Sequence, residues 1–239
     1  MTSSIDHVDV LVFGPHPDDI EIGLGGTVAR HVATGQRVGL CDLTAGELSS
    51  NGTPAVRQRE AAAAAEVLGA AWRENLGWRD GGIEKTPATM RSAVDLIRRA
   101  RPRAVAIPYW DDRHPDHVAS SHVLRAAVFT SGLRRYETTD APWRPDWLCY
   151  YFINDGATPS FVIDVSDHYQ RKRDALACYR SQFAPREDHA VTTRLTATTF
   201  NQLIESRDAQ FGALAGVAFA EGIVVREPIR RSGLLKHEP

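Results

Sequence analysis

Val8-Asp-Val-Leu-Val-Phe13, closed by Gly14-Pro15 and followed at once by His16-Pro17-Asp18-Asp19, is the stretch on which the fold turns. A short apolar run stopped by Gly-Pro reads as a buried strand. Residues 25–34 then read as a helix ended by Gly35. Moving outward, 38–43 is a second strand and 44–52 a polar loop. Thr53-Pro54 supplies an N-cap and a first-turn proline for a helix reaching Leu68. A third strand is expected near 72–76, a helix over 87–100, and a fourth strand over 104–107, stopped by Pro108. Another helix starts just after His114-Pro115-Asp116-His117 and runs to about Thr130. Strands alternating with helices argue for a parallel sheet wound by right-handed crossovers. In the last third, 147–153, 161–165 and 217–225 read as strands, and 167–180 and 198–211 as helices, added to the same sheet. The expectation is an α/β, Rossmann-like, mostly parallel sheet with helices on both faces and additional C-terminal strands and helices. It forms one domain over 1–239, with surface loops at 136–145 and 184–193.

His-Pro-Asp occurs twice, at His16 and at His114. With nine His, thirteen Pro and eighteen Asp in 239 residues, random order would produce it about 0.04 times. Each copy follows a strand, the first and the fourth, and precedes a helix. If strand four returns to the far side of strand one, the crevice between them is the switch point where such sheets bind ligands. Imidazole and carboxylate are natural ligands of Zn²⁺, and three protein ligands leave a position for water. On this chemistry His16, Asp19 and His117 are the metal ligands. Asp18 is placed to take a proton from water, and His114 to donate to the developing oxyanion or leaving group. Asp116 is expected to fix the tautomer and charge of His114. The plainer alternative, aspartates that merely cap helices, does not account for two copies at two strand ends.

Composition narrows the partners. Lys+Arg 28 against Asp+Glu 30 gives a net charge of −2, which disfavours nucleic acid and anionic membranes. Cys41, Cys149 and Cys178 form no Cys-x-x-Cys pair, so neither a disulfide framework nor a thiolate zinc site is indicated, and a reducing cytoplasm fits. No signal peptide and no apolar stretch of membrane length is seen. Gly23-Leu-Gly-Gly26 lacks the Gly-x-Gly-x-x-Gly spacing and sits among acids that repel a pyrophosphate. The cations Arg98, Arg99, Arg101 and Arg103 at a helix end are expected to be solvated.

Five segments, 14–26 (GPHPDDIEIGLGG), 42–57 (DLTAGELSSNGTPAVR), 108–117 (PYWDDRHPDH), 179–183 (YRSQF) and 220–222 (AEG), resemble the PIG-L/LmbE-like family of zinc-dependent N-deacetylases. Within it the chain looks like the branch of bacillithiol-pathway N-acetylglucosaminyl-malate deacetylases. The resemblance implies the same roles for the six motif residues, a Zn²⁺ cofactor (with Fe²⁺ as an alternative), a small N-acetylated amino sugar as substrate, and a homo-oligomer. It adds Glu47 and Arg57 as substrate contacts, the Arg57 fork suiting a carboxylate or phosphate on the aglycone. Some relatives carry a tyrosine two residues before the second motif, where this chain has Asp112. Either His114 carries that oxyanion role or Tyr109 reaches in. His189 is a further pocket residue, and Trp110 is expected to line the cleft. The rival readings are a deacetylase of an antibiotic or lipid-linked sugar and a non-catalytic, receiver-like metal-binding regulatory domain.

Overall fold

A computed structural model describes residues 7–184 and 191–230. Seven strands form one sheet: β1 (Val10–Gly14), β2 (Val38–Thr44), β3 (Trp72–Trp78), β4 (Ala104–Pro108), β5 (Trp147–Tyr151), β6 (Phe161–Asp164) and β7 (Ala220–Val224). Their order is β3-β2-β1-β4-β5-β7-β6. The first five are parallel, and β7 runs antiparallel to both β5 and β6. Strand four lies beside strand one, as expected, so the crossover direction reverses between β1 and β4. Crevices of this kind open at the C-terminal strand ends.

The helices are α1 (Asp19–Ala33), α2 (Pro54–Leu68), α3 (Pro87–Ala100), α4 (Pro115–Ser131), α5 (Tyr169–Ala177), α6 (Arg180–Phe183) and α7 (Thr198–Ala215). Along β1, Leu11 and Phe13 face one core with Val94, Ile97 and Leu124 of α3 and α4. Val12, between them, faces the other core with Val28, Ala64 and Ala175 of α1, α2 and α5. Strand side chains alternate between faces, so burial on both sides produces the unbroken apolar run seen in the sequence. α2 starts where Thr53-Pro54 predicts, and α3 starts at Pro87 as expected, behind a second Thr-Pro pair that the structure shows capping it. The Thr53 hydroxyl accepts the Val56 N–H, and Thr86 forms a capping box with Thr89.

Three expectations are corrected. α1 begins at Asp19 and not near Gly25, and it is broken at Leu24 (φ −136°, ψ 15°); its three glycines lower helix propensity, which hides the start. The helix read over 167–180 is a 3₁₀ turn (Ser166–His168), α5 and the short α6. Arg98 is 2% exposed, and its guanidinium donates to the carbonyls of Ser131, Leu133, Tyr136 and Asp140, pinning the α4–β5 connection. No described helix is long and apolar enough to cross a membrane.

Candidate metal centre and cleft

Both His-Pro-Asp motifs sit at strand ends that open onto the same crevice, and each runs directly into the first turn of a helix. Pro15 to Asp18 leave β1 and enter α1, while His114 is the N-cap of α4, with Pro115 in its first turn. Asp18 adopts φ +113°, a conformation that a β-carbon disfavours and that packed surroundings must hold. Asp19, in the first turn of α1, and His117, in the first turn of α4, thereby meet across the crevice.

One carboxylate oxygen gathers the centre. Asp19 Oδ2 lies 3.1 Å from His16 Nδ1 and 3.3 Å from His117 Nε2, and it also accepts the His16 backbone N–H at 2.9 Å. Ligand atoms of His16, Asp19 and His117 all fall within 4.8 Å of one another, and all three residues are buried. A second carboxylate layer stands behind the imidazoles. His16 Nε2 faces Asp80 Oδ1 at 3.1 Å and Asp116 Oδ2 at 3.3 Å, and His117 Nδ1 faces Asp112 Oδ1 at 3.1 Å. Carboxylates on the outer nitrogen of a ligating histidine orient the ring and raise its basicity.

The electrostatics call for a cation. Burial opposes charge on His16, but the bonds to Asp116, Asp19 and Asp80 hold its pKa well above the ordinary histidine value. For His117, burial is outweighed by the Asp19 charge and the Asp112 bond, which raise it to about 9. Asp19 is held well below the carboxylate range because the charges and bonds of His117 and His16 outweigh its burial. Without a metal, protons on these imidazoles supply the positive charge. A divalent ion would take their place, and the buried nitrogen and oxygen donors fit such an ion.

Asp18 and His114 differ from the three gathered residues. Burial pushes the Asp18 carboxyl up, Arg57 pulls it down and Asp19 pushes it up again, leaving it at about 7. His114 is exposed, its ring stacked on His117 at 4.7 Å and edge-on to His16 at 4.9 Å. Partial desolvation of the ring, followed by the charges of His117 and His16, lowers its pKa. His114 Nδ1 accepts the Asp116 backbone N–H at 3.2 Å, which leaves the proton of the neutral ring on Nε2. The Asp116 backbone therefore sets this tautomer. The Asp116 carboxylate, expected to do so, turns instead to His16 and the Gly81 N–H.

A cleft of about 560 Å³ opens over these groups, walled by Asp18, Ile22, Arg57, Asp80, Arg113, His114, Asn154, Arg194 and Phe200 among others. Arg57 lines it but is committed: its guanidinium donates to Asp18 Oδ2 at 2.9 Å, to the Pro17 carbonyl and to Ser49 Oγ. Glu47 stands outside the cleft lining and accepts the Asp80 backbone N–H at 2.8 Å, so it braces Asp80. Tyr109 and Trp110 also lie outside the lining, tilted against each other, with Tyr109 edge-on to Phe152 and Trp110 edge-on to Tyr150. β4 ends at Pro108, and the chain there turns these rings toward the core before it reaches the crevice. His189 falls outside the described residues. Asp80, Asp112 and Asn154 join the site without a role foreseen from the sequence. Asp80 and Asn154 each follow a strand at the same sheet edge, a positional signal that was available.

Comparison with known proteins agrees with this architecture. The profile of the PIG-L family, described as GlcNAc-PI de-N-acetylase, matches residues 11–128, a span that holds both motifs. A conserved protein from Thermus thermophilus superposes with a TM-score of 0.87 at 36% identity, covering 96% of this chain and all of that one. The diacetylchitobiose deacetylase of Thermococcus kodakarensis is 28% identical over 90% of this chain and 81% of its own length. A probable N-acetyl-α-D-glucosaminyl L-malate deacetylase 2 of Bacillus anthracis is 26% identical over 73% of this chain and 81% of its own. With the matching profile, the full-length structural relative and a sheet order that brings both motifs to one crevice, the chain belongs to the PIG-L family.

Proposed function

We propose that the protein is a divalent-metal-dependent hydrolase that removes the acetyl group from a small N-acetylglucosamine-containing substrate. The observation that carries this is the convergence of His16 Nδ1, Asp19 Oδ2 and His117 Nε2, with Asp18 and His114 beside them, at the base of one cleft. His16, Asp19 and His117 would hold the metal, with Zn²⁺ favoured by the nitrogen and oxygen donor set and Fe²⁺ as the alternative. Bound there, the ion supplies a Lewis acid that polarises the amide carbonyl and acidifies water. Asp18, with a pKa of about 7 and its carboxylate held by Arg57, accepts the proton of the attacking water. Neutral His114 presents Nε2–H to the oxygen or nitrogen that gains charge as the amide opens, taking the part that a tyrosine would otherwise fill.

The aglycone is read from the cleft rim. Arg113 and Arg194 both line it, both are exposed, and neither meets a carboxylate among the described residues. Two available guanidinium groups suit an anionic aglycone, which supports N-acetylglucosaminyl-malate. The likeness to a diacetylchitobiose deacetylase favours a second reading, a neutral disaccharide. Amine release from N-acetylglucosaminides carrying malate, inositol, inositol phospholipid or a second N-acetylglucosamine decides between them. Fastest turnover of the malate compound is expected. Preference for the disaccharide would overturn the anionic reading, and release from none would refute the deacetylase assignment.

A further inference from the structure

The break in α1 is held by a buried ion network that reaches in from the C-terminal third of the chain. Past a helix break the following N–H groups lose their partners, and before it the carbonyls do. Here Glu221 of β7 accepts the Gly26 N–H on Oε1 (3.0 Å) and the Thr27 N–H on Oε2 (2.7 Å). Arg207 of α7 donates Nη2 to the Ile22 carbonyl at 2.8 Å and Nη1 to the Ile153 carbonyl at 2.8 Å. Lys172 of α5 ties the acids together, with Nζ 2.6 Å from Glu221 Oε1 and 2.6 Å from Asp208 Oδ2, and Asp208 Oδ1 accepts from Arg207 Nε at 3.0 Å.

Two cations face two anions, and Lys172, Asp208 and Glu221 are each 0% exposed. Burying such a network adds little stability over well-packed apolar side chains of similar volume. What it does supply is geometry, because each acceptor and donor fits only one placement of the broken helix. The glycines complete the fit. A β-carbon on Gly23 would lie 2.2 Å from the Tyr151 ring, one on Gly25 2.9 Å from Lys172 Cγ, and one on Gly26 2.7 Å from Val165 Cβ. The first piece of α1, little more than one turn long, carries Asp19 at its start and ends at the carbonyl held by Arg207.

We propose that Glu221, backed by Lys172, Asp208 and Arg207, is a positioning residue for the metal centre. By fixing where α1 breaks, it sets Asp18 and Asp19 against His16 and His117. The inference rests on the metal-dependent reading above. In Glu221→Gln the side-chain amide cannot accept from Thr27 and Lys172 at once, so the first turn of α1 loosens. Chelator competition is expected to show metal binding weakened about tenfold or more, and kcat should fall with KM little changed. Hydrogen exchange of the metal-free protein should quicken across residues 16–27. Ile97→Val, a modest destabilisation by lost packing in α3 on the opposite face of the sheet, should alter none of these. A folded Glu221→Gln protein with wild-type metal affinity and wild-type exchange over 16–27 overturns the proposal. Should that variant not fold, Arg207→Gln, which frees the Ile22 carbonyl, is read by the same two measurements and the same criterion. A wild-type protein that binds no divalent metal would refute the functional reading, while exchange in the metal-free protein would still test the positioning role.

Discussion

Asp18 concentrates the chemistry of the site in one residue: positive φ, burial, a guanidinium on its carboxylate and a pKa of about 7. Asp18→Asn should lower kcat by roughly 10²–10⁴-fold while metal content, measured by elemental analysis, stays at the wild-type level; full turnover would remove it as the base. Because Arg57 pulls the Asp18 pKa down, Arg57→Met should raise it and move the acid limb of the kcat/KM profile to higher pH. A limb that stays in place would mean Arg57 does not tune Asp18. Behind the proposed ligands, Asp112→Asn should weaken metal binding about 10–100-fold, as read by chelator titration. Residues of this kind are unequally legible. His16, Asp18, Asp19, His114 and His117 announce themselves because a repeated His-Pro-Asp followed at once by another Asp or His is rare by chance. Asp80 and Asp112 are two among thirty acidic residues, and their distance to an imidazole nitrogen is what gives each a part in the site.

At the scale of elements, glycine controls how closely α1 approaches the sheet. Gly23→Ala would drive a methyl into the Tyr151 ring. The Tyr151 hydroxyl is itself bonded to the Phe13 carbonyl at 2.8 Å, so the ring has little freedom to yield. A loss of about 1–3 kcal/mol in denaturant unfolding is expected, and unchanged stability would show that the helix can slide. The same glycines explain why the start of α1 is hidden in the sequence: local propensity opposes a helix there, and contacts to Tyr151, Lys172 and Glu221 override it. The start of α2 lies where expected because the Thr53-Pro54 pair carries its own capping chemistry. Arg98 shows the reverse case, a charge at a helix end that reads as solvated until the α4–β5 connection folds over it.

Taken whole, the molecule couples its buried His and Asp cluster to its stability through protons. The His117 pKa rises from 6.5 to about 9 on folding without metal, and His16 is raised as well. A raised histidine contributes its full stabilisation below the unfolded value and loses it as pH climbs through the folded one. The metal-free protein should therefore lose stability between pH 6.5 and about 9. A metal bound at the proposed site would replace those protons, and free metal at a hundred times its Kd would add about 2.7 kcal/mol. Melting temperatures of metal-loaded and metal-free protein should diverge across that window, and parallel curves would refute the coupling.

The strand-helix alternation and the two His-Pro-Asp motifs at the ends of strands one and four were determined by the sequence alone. Each depends on local periodicity or on residue type at short spacing, and those survive without a fold. Tertiary structure decided the rest: that the crossover reverses to set β4 beside β1, that Arg57 is committed to Asp18, that Asp80 and Asp112 stand behind the imidazoles, and that Glu221, 195 residues beyond Gly26, caps the broken helix that carries Asp19. The reason is that these are partnerships between side chains far apart in the chain. Their energy comes from burial and opposed charge, and neither exists until the sheet brings the partners together.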